Sequence, residues 1–175
     1  MNAKRVAGAL AAAGVIGLVT LAADARAQEA EIPLDQLPKA VADAAKAKFP
    51  GAEWRGASRE TEDGKTVYEV AMTHQGRKMD VTFQEDGTLV LVETEVSEQE
   101  LPAAVMRAVK DKYPGAKIDL VESVKKGPEV KKEADYYEFH LTTADKKSVE
   151  VEVDAKGKIM NTEEKKDEEK EKKGA

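Results

Sequence analysis

The chain has 175 residues, 35% of them charged, no cysteine and a net charge of −6. Such a length suits one compact domain or two small ones. The missing cysteine excludes a disulfide scaffold and a lipidated anchor, so the fold must rest on apolar burial. The acidic balance argues against non-specific nucleic-acid binding, which needs a basic footprint, and against docking on anionic lipid.

The N-terminus sets the compartment. Lys4 and Arg5 precede an uncharged run from Val6 to Ala23, and Ala25-Arg26-Ala27 follows. The run is long enough to span a bilayer. Its Ala/Gly dilution and its small-x-small ending instead read as a cleavable export signal over residues 1–27, cut before Gln28. Removal takes away Lys4, Arg5, Arg26 and Asp24, so the remaining 148 residues carry a net charge of −8. No membrane insertion is expected after that cut.

Beyond the signal, one stretch occurs twice. Leu37–Ala52 reads LPKAVADAAKAKFPGA, and Leu101–Ala116 reads LPAAVMRAVKDKYPGA; ten of the 16 positions are identical. Similarity continues from Tyr68-Glu69-Val70 to Tyr137-Glu138-Phe139, and from Met79, Val81 and Phe83 to Val149, Val151 and Val153. A period of 64 residues exceeds the usual solenoid unit, which points to two copies of a small domain over 28–97 and 98–162. The second copy has five extra residues around Lys125-Lys126-Gly127-Pro128, a loop signal.

Each copy should open with a helix. Leu37, Val41, Ala44 and Ala45 form one apolar stripe; Leu101, Val105, Ala108 and Val109 form the other, closed by the stem of Lys112. Pro38 and Pro102 fit a first helical turn, and Phe49-Pro50-Gly51 and Tyr113-Pro114-Gly115 are stop signals. Ser97 and Glu100 have the spacing of a capping box.

Four strands should follow each helix. In the first copy they lie near 53–60, 66–73, 78–85 and 88–96. Tyr68, Val70 and Met72 alternate with Glu69, Ala71 and Thr73, and Met79, Val81 and Phe83 with Asp80, Thr82 and Gln84. In the second copy Tyr137, Phe139 and Leu141 face inward, while Tyr136, Glu138, His140 and Thr142 face outward. Asp86-Gly87 is a hairpin signal. Alternation of this kind means a sheet covered on one face. The expected fold is therefore α+β: two tandem α-β-β-β-β units, an antiparallel sheet of about eight strands, and both helices on one side. Leu89-Val90-Leu91-Val92 is apolar in both phases, which suits a central strand or an open-face patch at Val90 and Val92.

The doubled Leu-Pro-x-Ala-Val…Lys-x-(Phe/Tyr)-Pro-Gly-Ala motif with its following hairpins resembles the PepSY-like family, and within it the exported tandem-repeat branch described as β-lactamase-inhibitor-like. The resemblance runs from about Leu34 to Glu163. It implies helix-on-sheet units, an extracytoplasmic location and binding or inhibition of peptidases or other envelope proteins, and it carries no catalytic residues. Aromatic anchors expected of an inhibiting sheet face reduce here to Tyr136, among acidic neighbours.

The two histidines, His74 and His140, have no cysteine partner and no zinc or EF-hand spacing. His74 falls in a turn and His140 on the open face, so both read as solvated positions. Trp54 corresponds to Ile118, which favours a core role. No glycine pattern cradles phosphate. No cofactor, metal or enzyme chemistry is therefore expected. The candidate binding face comprises Glu69, Asp80, Val90, Val92, Tyr136, Glu138, His140 and Glu150, with Glu152 beside it. Its expected partner is a protein or peptide of the cell envelope, or alternatively a small ligand or cation drawn by the acidic surface. Residues 163–175, KKDEEKEKKGA after Glu163-Glu164, read as a charged disordered tail.

Overall fold

Side chains that alternate in polarity every second residue make a strand with one wet and one dry face. In this chain such strands run in an unbroken meander. The computed structural model describes residues 30–62, 64–129 and 132–165. Its elements are β1 (Ala30–Ile32), α1 (Lys39–Lys48), β2 (Glu53–Glu62), β3 (Lys65–His74), β4 (Arg77–Gln84), β5 (Leu89–Glu95), α2 (Ala103–Lys112), β6 (Lys117–Lys126), β7 (Tyr136–Thr142), β8 (Ser148–Asp154) and β9 (Ile159–Lys165). All nine strands form one antiparallel sheet in sequence order. The class is α+β, with nine strands where about eight were expected. The extra one, β1, is three residues long and pairs Glu31 with Ser58 at one edge. The expected signal segment lies outside the described residues. β9 extends to Lys165, so the first three residues of the expected tail are strand, and the rest of the tail also lies outside.

Both helices lie on the same side, as the register shows. Val70, Val81 and Val92 are directly opposed across β3, β4 and β5, and Val92 faces Lys125 on β6. Val121, in phase with Lys125, opposes Phe139, which opposes Val151. On this side α1 packs Leu37, Val41, Ala45 and Phe49 against Val70, Met72, Val81 and Phe83. Leu101, Val105 and Val109 pack against Phe139, Leu141, Val151 and Val153 in the same way. Leucine, valine and phenylalanine at this depth each contribute about 1.5–3 kcal/mol of burial.

The helix ends follow their sequence signals. Pro38 and Pro102 stand just ahead of the first turns, where no N–H is needed. Phe49 N–H and Tyr113 N–H close the helices onto Ala45 and Val109 carbonyls, both at 2.9 Å. Gly51 and Gly115 then turn with φ of 78° and 77°. The stripe of α2 is closed by half-buried Tyr113; Lys112 is exposed and donates from Nζ to Thr162 Oγ1 at 3.0 Å. Ser97 and Glu100 do form the capping box, and Arg77 clamps the same carboxylate. No helix of the described residues is long and apolar enough to cross a membrane.

The two sets of four strands meet at β5 and β6, paired from Leu91↔Lys126 to Glu95↔Glu122. At the end of this seam Gly127 N–H donates to the Val90 carbonyl at 2.6 Å. A Cβ on Gly127 would lie 2.1 Å from the Leu89 carbonyl oxygen, so only glycine fits. Val90 is the extra residue of a bulge in β5: Thr82 opposes Leu91, while Phe83 opposes Leu89.

Candidate functional site

The side of the sheet away from the helices collects carboxylates, because outward positions of nearly every strand are acidic. Directly opposed residues share a face, so the register assigns them. One row across the strands reads Glu95, Glu122, Glu138, Glu152, on β5, β6, β7 and β8 in turn. Four glutamates stand in line, one strand apart, about 4.8 Å. Asp80, Glu93, Val124, Tyr136 and Asp154 form the next row, and His140, Glu150 and Glu163 flank the first row on the other side. Like charges directly opposed repel, so this arrangement costs stability.

The face is uncovered by helices but is not bare. Val124 is fully buried there, and Thr82, Val67, Tyr136, Glu122 and Glu138 are buried too. Their long neighbours lie over them: Lys126 Nζ stands 5.0 Å from the Tyr136 ring centre, and Lys165 Nζ pairs with Glu150 Oε2 at 2.7 Å. Burial under a layer of charges shifts the acids. Glu93 is pushed up to about 9, first by desolvation and then by Glu138, Glu122, Glu69 and Asp80. Glu122 rises to about 7 by desolvation and the Asp80 charge, with His140 opposing. Asp80 rises for the same first reason, against the pull of Arg55. Tyr136 is held well above the ordinary phenol range by burial and four glutamates. The His140 pKa is raised as well: its hydrogen bond with Glu138 and the surrounding carboxylates favour the imidazolium, against desolvation.

Of the residues expected on this face, Glu69, Asp80, Glu138, His140 and Glu150 do stand there, half-buried or buried. Tyr136 stands there as well, but only 6% exposed, so its ring is no free anchor. Val92 does not: it opposes Val81 and is 1% exposed in the α1 core. Val90 sits half-buried at the bulge, and Leu91 takes the outward phase opposite Thr82 and Lys126. The residues missed are Glu93, Glu95 and Glu122. The sequence VESV at 121–124 alternates ambiguously, and only pairing with β7 shows Glu122 to be outward.

The tightest group is Glu122, Glu138 and His140, whose nearest oxygens and nitrogen lie within 4.8 Å of one another. His140 Nε2 is 3.3 Å from Glu138 Oε1 and 3.8 Å from Glu122 Oε2. His74, by contrast, meets the edge of Phe49 with ring centres 5.8 Å apart. Trp54 packs half-buried against the α1 core, with Lys46 Nζ at 5.5 Å.

Comparison with known proteins gives a consistent picture. The family model described as beta-lactamase-inhibitor-like, PepSY-like matches residues 66–161. A second, the peptidase propeptide and YPEB domain, matches residues 38–83. No curated protein matches the chain. Among solved structures, a DUF2874 family protein from Bacteroides uniformis is 20% identical with a TM-score of 0.58, covering 73% of this chain and 88% of that one. A BLIP-like protein from Bacteroides fragilis is 20% identical with a TM-score of 0.53, covering 71% and 84%. A protein described as periplasmic, from Bacteroides eggerthii, is 19% identical with a TM-score of 0.57, covering 73% and 88%. At these identities the likeness is one of fold.

Proposed function

Because the chain belongs to the beta-lactamase-inhibitor-like, PepSY-like family, we propose that it is an exported, non-catalytic binding protein whose open sheet face receives a basic protein or peptide of the cell envelope. The observation that carries this reading is the row Glu95, Glu122, Glu138, Glu152, in register on four neighbouring strands. A face of fixed negative charge steers and orients a cationic partner. Export is supported by the basic-apolar-small N-terminus and by a fold relative described as periplasmic. A doubling of one ancestral unit accounts for the matched motifs at 37–52 and 101–116.

Inhibition in the manner of an aromatic-anchored sheet loses its support at Tyr136. The ring is buried, and no other tyrosine, tryptophan or phenylalanine of the described residues takes the open phase. Charge, and not an aromatic hot spot, is what the face offers.

The test uses a labelled, lysine- and arginine-rich peptide titrated against the chain at low and high salt. Binding should weaken steeply with salt, and the double variant Glu95→Gln/Glu152→Gln should bind about tenfold more weakly. Binding that ignores both salt and the double variant sinks the reading.

A further inference from the structure

We propose that Glu122, Glu138 and His140 form a binding site for a divalent transition ion, zinc being the best match. Glu138 and His140 are two residues apart on β7, so their side chains leave the same face, and Glu122 is directly opposite Glu138 on β6. Three donors from two neighbouring strands thus converge, with their atoms already within 4.8 Å of one another. Two carboxylates and one imidazole are a donor set that zinc accepts at about 2.0–2.2 Å. The imidazole favours a transition ion over calcium or magnesium, which prefer all-oxygen shells. Glu152 opposes Glu138 on β8, one strand further from Glu122.

A second observation sets this trio apart from the acidic surface around it. Glu122 and Glu138 are only 7% and 8% exposed. The His140 ring is the hydrogen-bond partner of Glu138 and lies 3.8 Å from Glu122 Oε2. Two largely buried carboxylates thus share one imidazole, an arrangement that a further cation or a proton would stabilise. The first half of the sheet supplies an internal contrast. There the same register places Ser58 opposite Glu69, with Ala71 two residues further on. Ser58 Oγ donates within its own strand to Glu60 Oε1 at 3.1 Å. The backbone is matched, and only the second half carries ligands.

Protons compete for the site. His140 and Glu122 must both be free of protons to hold a metal, so metal and protons compete there. The charges that face His140 and Glu122 are Asp80, Glu93, Glu95, Asp119, Glu150, Glu152 and the Lys165 ammonium. Affinity should therefore rise with pH. The site shares the open face with the proposed partner surface but does not rest on that reading.

The test is a zinc titration of the full chain, read by calorimetry and by the imidazole NMR signals. The chain has two histidines, so a His74→Gln variant assigns the His140 signal. Zinc should bind one to one and shift the His140 ring but not the His74 ring. His140→Asn and Glu122→Gln should each weaken zinc at least about tenfold. Calcium and magnesium should bind at least about tenfold more weakly than zinc. The proposal is overturned by an unmoved His140 signal at millimolar zinc, by equal zinc binding in folded His140→Asn, or by calcium matching zinc, which would mean a diffuse polyanion. Folding of each variant is checked by its thermal transition.

Discussion

The two halves of the sheet share one covered side and differ on the open one. Under the helices the matches are close: Val41, Val70 and Val81 in the first half stand where Val105, Phe139 and Val151 stand in the second. Even the bulges recur, at Trp54/Gly56 and Ile118/Leu120, then at Thr82/Phe83 and Glu152/Val153. Gly87 and Gly157, both with positive φ, bring their turns so near α1 and α2 that a Cβ would lie 2.6 and 2.5 Å from the Ala40 and Ala104 carbonyl oxygens. On the open side Ser58, Ala71, Thr82 and Leu91 give way to Glu122, His140, Glu152 and Asn161. Packing tolerates little change where side chains interlock, whereas a solvated face is free to acquire chemistry.

The largest effect should come from emptying either core: Phe83→Ala and Phe139→Ala, both at fully buried positions, should each cost about 3–5 kcal/mol. Because one sheet joins the halves, urea unfolding of both variants should stay a single transition; two separated transitions would show the halves to be independent. Next is the seam. Gly127→Ala forces a carbon into the Leu89 carbonyl and should cost about 2–3 kcal/mol. Gly51→Ala, with open space but a φ of 78°, should cost only about 1 kcal/mol. Equal losses in the two denaturation curves would refute the close approach.

The third prediction concerns pH. Glu93 keeps its proton in the folded chain up to about 9 and loses it in the unfolded chain near 4.5, so stability falls as pH rises between those values. Glu122 adds a fall between 4.5 and about 7. His140, with its pKa raised, stabilises most below the unfolded value of 6.5 and loses that contribution as pH rises through its folded value. All three signs agree, so melting temperature should decline as pH rises from about 5 toward 9. Glu93→Gln should flatten the decline and raise the melting temperature at pH 8 by about 2–4 °C for each kcal/mol gained; an unchanged profile would count against the burial of that carboxylate. The smallest effect is Ser97→Ala, which removes half of the capping box ahead of α2 and should cost about 1 kcal/mol in a thermal melt.

Much of the fold was legible because its signals are local. The Leu-Pro and Pro-Gly punctuation marks both helices, Asp86-Gly87 marks a turn, and strict alternation at 68–73 and 137–142 sets each strand's two faces. Three features were not legible. β1 is too short to show a period, and it forms only because β2 offers an edge. The bulge at Val90 breaks the phase of β5, so Val92 goes inward with Val81. The glutamate row depends on how β6 pairs with β5 and β7, a register that no single strand encodes. Thus the acidic character of the face could be read residue by residue, while its alignment into a line could not.

The order β1 to β9 along the sheet is also the order along the chain. Each strand therefore finds its partner among residues just made, with hairpins inside each set of four, the longest of them between β6 and β7, and detours through α1 and α2. Short loops cost little closure entropy and favour rapid assembly. An emerging polypeptide can zip strand upon strand, and β5 then serves as the template on which the later half is laid down.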